Sequence, residues 1–174
     1  FLTSSLSVAK PASTLLERLQ GPKVGAHQGG VFHFLPNTLK GFKKAVSAGV
    51  DIVEMDLRAS KEGVVFVFHD ESLSTWTWCK GKIADQPFQK IKKCSYKFNA
   101  EKIPTFEEVL QWSVGKVVIN ADFKDTSVIA EVVRLVKKYD AYEWAYFQSN
   151  SDPNLYEKVR ELDRRLPLLF APSD

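Results

Sequence analysis

Short runs of β-branched and aromatic residues alternate with amphipathic helical stretches along this chain of 174 residues. This alternation predicts an α/β fold in which parallel strands are followed by helices that pack on the sheet. The predicted strands are residues 23–27, 51–58, 64–69, 116–124, 144–148 and 166–170. The predicted helices lie near residues 13–19, 39–48, 106–112, 127–139 and 153–164, the third opening with a capping box at Thr105 and Glu108.

The second predicted strand carries its charges on one face. Successive side chains of a strand point to opposite sides, so Val53, Met55 and Leu57 share a face suited to packing under helices. Glu54 and Asp56 lie on the other face. Charges on a strand that is covered on both sides are costly unless they serve a metal or a ligand.

Polar groups also mark other strands at their carboxyl ends. Asn120, Asp122 and Lys124 lie opposite the apolar face of the fourth strand, His27 ends the first strand, and His69 continues the alternation of the third. Ligand sites of parallel α/β folds form at the carboxyl ends of strands, so we expect these side chains to converge. Each pattern alone also fits an ordinary surface pair, salt bridge or structural histidine.

The side chains on these strands are suited to phosphoryl chemistry. Glu54, Asp56 and Asp122 would form a hard oxygen site for one divalent cation, Ca²⁺ or Mg²⁺. His27 and His69, with an ordinary pKa of about 6.5, would serve as general base and general acid on opposite sides of phosphorus. A phosphodiester hydrolase is the function that this set favours.

Composition and hydropathy argue against a nucleic-acid partner and against a membrane span. The chain has 24 Lys and Arg residues against 21 Asp and Glu, an excess too small to argue for nucleic acid. No apolar run reaches the length of a membrane span, so we expect no transmembrane segment. The partner that goes with the expected hydrolase function is a small-molecule phosphodiester substrate, and the sequence does not predict the oligomeric state.

Two further features leave alternatives open. Cys79 and Cys94 are 15 positions apart, and we interpret them as two separate thiols, with a disulfide as the alternative. The chain opens with Phe1, which fits either the tail of a processed signal segment or a trimmed start. The compartment therefore stays open, with a slight preference for a periplasmic or secreted protein over a cytoplasmic one.

A single domain is expected over residues 1–174, with residues 1–22 as an N-terminal extension and helix. Residues 71–103, here called the excursion, are polar and irregular with several aromatic residues, and we expect them to cross one end of the sheet. The short lysine cluster from Lys90 to Lys97 is interpreted as a solvated loop or helix face.

Six motifs occur in an order that resembles the glycerophosphodiester phosphodiesterase family, a branch of the phosphatidylinositol-phospholipase-C-like barrels. The resemblance runs from about Val24 to Phe170. The motifs are His27-Gln28-Gly29, Leu35-Pro36-Asn37-Thr38, Glu54-Met-Asp56, His69-Asp70 with the Thr-rich turn after it, the stretch Ile103–Leu110, and Asp122-Phe-Lys124.

The resemblance implies a TIM (β/α)8 barrel of which this chain supplies about the first six strands, and a natural protein that continues past Asp174. It also implies metal-dependent hydrolysis of glycerophosphodiesters to glycerol 3-phosphate and an alcohol. The implied roles are acid–base catalysis by His27 and His69, metal binding by Glu54, Asp56 and Asp122, and phosphate binding by Lys124 and Gln28.

The chain departs from the family pattern at three positions. Gln28 stands where the family has Arg, Pro36 is nearest the place of a Glu, and Asp122 replaces a Glu. A bidentate charged contact to phosphate is lost with the Arg. The alternative function is therefore a catalytically weakened barrel that binds metal or phosphodiester without efficient turnover. A third alternative is an interaction domain with a vestigial polar interior.

Overall fold

The computed structural model describes residues 13–31, 33–149 and 154–169. The possible signal remnant at Phe1 and the end of the last predicted strand lie outside these ranges. The strands are β1 (Gly25–Ala26), β2 (Ile52–Ala59), β3 (Val65–Val67), β4 (Val118–Phe123) and β5 (Ala145–Gln148). The α-helices are α1 (Leu15–Arg18), α2 (Leu39–Ser47), α3 (Phe88–Lys93), α4 (Phe106–Ser113), α5 (Ile129–Tyr139) and α6 (Leu155–Leu162).

Four strands form a parallel sheet in the order β1-β2-β4-β5. Beyond β5, Leu168 forms a parallel bridge with Phe147, at the place of the last predicted strand. β3 lies off this path and pairs with β2 in the antiparallel direction. The expectation that the third strand is one of six parallel strands was therefore wrong, although the strand itself exists.

The short connection between β2 and β3 explains the antiparallel pairing. The backbone N–H of Ser60 donates to the carbonyl of Val64, and the N–H of Gly63 donates to the carbonyl of Ser60. Gly63 has a φ of +82°, a conformation that favours glycine. Parallel neighbours need a crossover of a dozen or more residues, so a turn of this length permits only a hairpin.

The apolar faces pack under the helices as predicted. Val53, Met55 and Leu57 are fully buried, in one core with side chains of α2, α4 and α5. Thr38 caps the start of α2, and Thr105 and Glu108 form the predicted capping box at the start of α4. Each helix in the described ranges is too short or too polar to cross a lipid bilayer.

The excursion is more ordered than the sequence indicates. It contains α3 and has an apolar core of its own, in which Phe66 and Phe68 of the preceding hairpin pack against Tyr96 and Ile103. Cys79 and Cys94 form a disulfide, with their Sγ atoms 2.07 Å apart. The prediction of two separate thiols was therefore wrong, because folding of the excursion brings two residues 15 positions apart into contact.

Candidate functional site

Adjacent parallel strands place three carboxylates side by side. Asp56 of β2 is in register with Asp122 of β4, and Glu54 is in register with Asn120. Asp56 and Asp122 are buried, at 1% and 3% relative exposure, and the Glu54 side chain is 13% exposed. Glu54, Asp56 and Asp122 are called the carboxylate cluster below, and its convergence agrees with the alternation of the two strands.

Lys124 connects two members of the carboxylate cluster. Its Nζ lies 2.8 Å from Asp56 Oδ1 and 2.6 Å from Asp122 Oδ2, and its side chain is 16% exposed. Burial alone would lower the pKa of Lys124, but the hydrogen bonds to Asp122 and Asp56 outweigh it and raise the pKa above the ordinary value. The lysine is therefore charged and is the nearest counter-ion of the cluster.

Two amide side chains fix the orientation of Asp56. Gln28 Nε2 and Asn37 Nδ2 both donate to Asp56 Oδ2, at 2.9 and 2.8 Å. Asn37 Oδ1 also accepts the backbone N–H of Asp56 at 3.2 Å. Asn37 is absent from the predicted site residues, and its place in the Pro36-Asn37-Thr38 motif was the signal that could have identified it.

Gln28 contacts a second carboxylate through its backbone. Its N–H donates to Glu54 Oε2 at 2.8 Å, from a turn (His27–Gly29) in which Gln28 has a φ of +49°. This left-handed conformation is uncommon for a residue with a side chain. The side-chain amide is engaged with Asp56, and contact of Gln28 with a phosphate stays a prediction.

His27 lies at the edge of the carboxylate cluster. Its Nε2 is 3.8 Å from Glu54 Oε2, and its side chain is 67% exposed. Burial raises the pKa of Glu54 to about 7, repulsion from Asp56 adds to the rise, and the N–H of Gln28 partly offsets it. The structure thus places a carboxyl group with a raised pKa beside an imidazole that is open to solvent.

The backbone next to His69 lies beside Asp56 by a route that the sequence did not predict. Val67 pairs with Leu57 and packs in the helix-facing core, so strand alternation does not direct His69 to the polar face. Instead, the antiparallel hairpin brings the chain back beside Asp56, whose carbonyl accepts the N–H of Phe68 at 2.8 Å. His69 is the next residue, and its side chain is 47% exposed.

Neighbouring groups hold His69 in place. Arg58 Nε donates to the carbonyl oxygen of His69 at 2.7 Å. The imidazole Nδ1 is 3.5 Å from Asp70 Oδ1, and Trp76 Nε1 donates to the other oxygen of Asp70 at 2.7 Å. Arg58, Asp70 and Trp76 are further residues of the site that are missing from the predicted set.

The cluster has the donor chemistry of a cation site but not a closed ligand shell. Among the described residues, no three acidic, His or Cys side chains converge closely enough to hold a metal ion as they stand. Asp122 Oδ1 is buried and has no hydrogen-bond partner in the same ranges. An unpartnered carboxylate oxygen, together with the repulsion that raises the pKa of Glu54, fits an additional cation.

Curated relatives match the chain over much of its length. A human lysophospholipase D is 31% identical over 84% of this chain and 50% of the relative. A glycerophosphodiester phosphodiesterase from Caldanaerobacter subterraneus is 30% identical over 68% of this chain and 54% of the relative. The chain therefore spans about half the length of the curated relatives that it matches.

A solved structure shows a similar fold. The Oleispira antarctica phosphodiesterase, determined in complex with the product sn-glycerol-3-phosphate, superposes with a TM-score of 0.74 at 25% identity. It covers 84% of this chain and 64% of its own. Together with the parallel sheet and its helices, this likeness confirms the predicted α/β class and a partial (β/α) barrel.

The family profile described as "Glycerophosphoryl diester phosphodiesterase family" matches residues 27–170. This range begins at His27 and contains the carboxylate cluster and Lys124, which the geometry brings together, and it also contains His69. Because the match covers far more than half of the sequence, the chain belongs to the glycerophosphoryl diester phosphodiesterase family.

Proposed function

We propose that this chain carries the reaction centre of a metal-dependent phosphodiesterase that hydrolyses glycerophosphodiesters to glycerol 3-phosphate and an alcohol. The observation that carries the proposal is the carboxylate cluster, buried beside a lysine and edged by the exposed imidazole of His27. The product found in the Oleispira antarctica phosphodiesterase and the name of the Caldanaerobacter relative support this choice of substrate.

The proposed cofactor is one divalent cation, Ca²⁺ or Mg²⁺. Glu54, Asp56 and Asp122 would hold it, because hard cations take carboxylate oxygens. When bound, it would withdraw negative charge from the phosphate oxygens of the substrate. The free oxygen of Asp122 supports this assignment.

His27 and His69 are proposed to move the protons. One imidazole takes the proton of the attacking hydroxyl, either water or the glycerol hydroxyl of the substrate, as that oxygen forms its bond to phosphorus. The other donates a proton to the alcohol oxygen as its bond to phosphorus breaks. Attack by the glycerol hydroxyl gives a cyclic phosphate, which water then opens to glycerol 3-phosphate.

Each imidazole has an acidic neighbour. The Glu54 carboxylate is 3.8 Å from His27 Nε2, and the Asp70 carboxylate is 3.5 Å from His69 Nδ1. Lys124 is proposed to contact the phosphate. In the structure its ammonium group lies between Asp56 and Asp122, so its positive charge is already at the cluster.

Hydrolysis of glycerophosphocholine tests the proposal, with glycerol 3-phosphate as the measured product. We expect turnover with Ca²⁺ or Mg²⁺, loss of turnover with EDTA, and a loss of at least about a hundredfold in His27→Ala, the scale of general acid–base catalysis. His33→Ala is the matched control, because His33 is an exposed histidine outside the cluster and should leave turnover close to wild type.

A barrel that binds without turnover is the outcome that would replace this function. The neutral amide of Gln28, which faces Asp56, is the feature that favours this alternative. Calorimetric binding of Ca²⁺ or Mg²⁺, with no glycerol 3-phosphate released by the wild-type protein, would establish it. Turnover that survives both EDTA and His27→Ala would contradict the assigned site itself.

A further inference from the structure

The excursion presents two large aromatic side chains to solvent. Trp78 and Phe98 are each 75% exposed. Aromatic side chains of this size are usually largely buried, since each removes a large apolar area from water. Both residues lie in the excursion, which has an apolar core of its own that neither of them joins. Their exposure therefore needs an explanation outside the packing of the chain.

An isolated β-bridge and a disulfide flank Trp78 and fix its exposed position. Thr77 pairs with Tyr96 in an antiparallel bridge, and both are buried. Because neighbouring residues of an extended segment point to opposite sides, Trp78 and its partner Ser95 face outward. The disulfide of Cys79 follows directly along the chain. Trp78 is thus exposed on a fixed scaffold rather than on a loose loop.

Positive charge is concentrated in the same region. The excursion has seven lysines against three acidic residues (Glu71, Asp85 and Glu101), whereas the whole chain has an excess of only three positive charges. Lys82 pairs with Glu71, and Lys92 pairs with Glu108. Within the described ranges, five lysines of the excursion form no ion pair: Lys80, Lys90, Lys93, Lys97 and Lys102.

Three of these lysines lie close to the exposed aromatic residues, either along the chain or across a β-bridge. Lys80 is two residues from Trp78, and Lys97 directly precedes Phe98. Lys102 pairs with Ser95 in a second isolated bridge, and its Nζ donates to Ser95 Oγ at 2.6 Å, so it lies on the same outer side as Trp78. Trp78, Phe98 and the five unpaired lysines are called the docking surface.

The docking surface is connected to the candidate reaction centre. The backbone N–H of Lys97 donates to the carbonyl of Trp76, which lies two residues before Trp78. The indole N–H of Trp76 in turn donates to Asp70, the neighbour of His69. A ligand bound at the docking surface would therefore lie on the side of the molecule that carries His69.

We propose that the docking surface binds the surface of a membrane that contains anionic phospholipids. Indole rings favour the boundary between head groups and acyl chains, and lysines near an anionic surface add attraction that salt screens. Single-stranded nucleic acid also uses aromatic residues and lysines, but it is held in a groove, whereas these two rings project from the surface. The docking does not depend on the proposed hydrolysis.

Co-sedimentation with phospholipid vesicles tests the proposal with the full chain. We expect binding to vesicles of equimolar phosphatidylcholine and phosphatidylglycerol, weaker binding to phosphatidylcholine alone, and weakening by added salt. Trp78→Ser and Phe98→Ser should each weaken binding about tenfold, as expected for an apolar side chain withheld from the membrane. Leu16→Ser is the matched control, since Leu16 is 79% exposed but lies in α1.

A second pair of variants tests the charge. Lys80→Gln and Lys93→Gln should each weaken binding to anionic vesicles about fivefold. Lys43→Gln, an exposed lysine of α2, should change it little. No binding to anionic vesicles by the wild type, or equal losses in Trp78→Ser and Leu16→Ser, would overturn the proposal. So would tight binding of oligothymidylate in place of vesicles. None of these measurements requires turnover, so they separate this proposal from the proposed function.

Discussion

The carboxylate cluster and the excursion are specified in different ways. Strand alternation and register place the cluster, because Asp56 and Asp122 are neighbours on parallel strands. Contacts between distant positions place the excursion, through a separate apolar core and the disulfide of Cys79 and Cys94. The difference shows that strand alternation in a sequence predicts which way a side chain points. The conformation of a segment without such a repeating pattern is instead specified by tertiary contacts.

The two regions also differ in what stabilises them. Asp56 is held by charged and amide donors on both of its oxygens, so its network tolerates little change. The excursion is stabilised by apolar packing and one covalent link. We therefore expect substitutions in the cluster to affect the whole fold and changes in the excursion to act locally.

The largest expected effect is that of Asp56→Ala. This change removes a buried carboxylate, leaves the side-chain N–H groups of Gln28 and Asn37 without their acceptor, and takes from Lys124 one of its two carboxylate partners. We therefore expect a loss of about 4 kcal/mol in the free energy of unfolding. Urea denaturation measures it. Asp85→Ala, at an exposed position of the excursion, should cost less than about 0.5 kcal/mol. Similar losses of unfolding free energy in the two variants would contradict the proposed difference between the cluster and the excursion.

The pH dependence of stability tests the electrostatics of the cluster. The pKa of Glu54 is raised from 4.5 to about 7 in the folded protein, so the folded state holds this proton more tightly than the unfolded state. Stability is then lost as pH rises from 4.5 to 7, by about 3 kcal/mol for this group.

The comparison with Glu54→Gln isolates that contribution. Urea denaturation of both proteins with chelator present, from about pH 4 to about pH 8, should show the wild type losing about 3 kcal/mol relative to the variant. If the difference in the free energy of unfolding between the two proteins did not change with pH, the raised pKa of Glu54 would be contradicted.

Removal of the disulfide tests the excursion. The Cys79–Cys94 bond closes a loop of 15 residues, and chain-entropy arguments give it about 3 kcal/mol. We expect Cys79→Ser to lower protection from hydrogen exchange within the excursion while β2 and β4 keep theirs. A uniform loss of protection across both regions would show that they unfold as one unit.

The smallest expected effect concerns the helix that joins the two regions. Thr105 and Glu108 form the capping box of α4, and Glu108 also binds Lys92 of the excursion. Thr105→Ala should cost about 1 kcal/mol in the free energy of unfolding, since it removes the cap. Thr105→Ser keeps the hydroxyl and should recover most of that loss. An equal loss in the Ser variant would assign the effect to packing instead.

Much of the sheet and of the site could be predicted from the sequence. The alternation in residues 51–58 and 116–124 predicts both the buried faces and the convergence of Glu54, Asp56 and Asp122. The interpretation of His69 as the end of a parallel strand was wrong, because only the structure shows that the turn at Gly63 makes a hairpin. Asn37 was missed because an asparagine directly before a helix N-cap resembles an ordinary turn residue. Its hydrogen bonds to Asp56 also span 19 positions of the chain.

The central claim is that the carboxylate cluster holds one divalent cation that the hydrolysis requires. The most direct test is the rate of glycerol 3-phosphate release from glycerophosphocholine as Ca²⁺ or Mg²⁺ is titrated into chelator-treated protein. We predict that the rate rises to a plateau as one ion binds per chain. In Asp122→Asn, the same titration should reach its midpoint at a metal concentration at least about tenfold higher. A rate independent of added metal, or an unchanged midpoint in the variant, would contradict the claim.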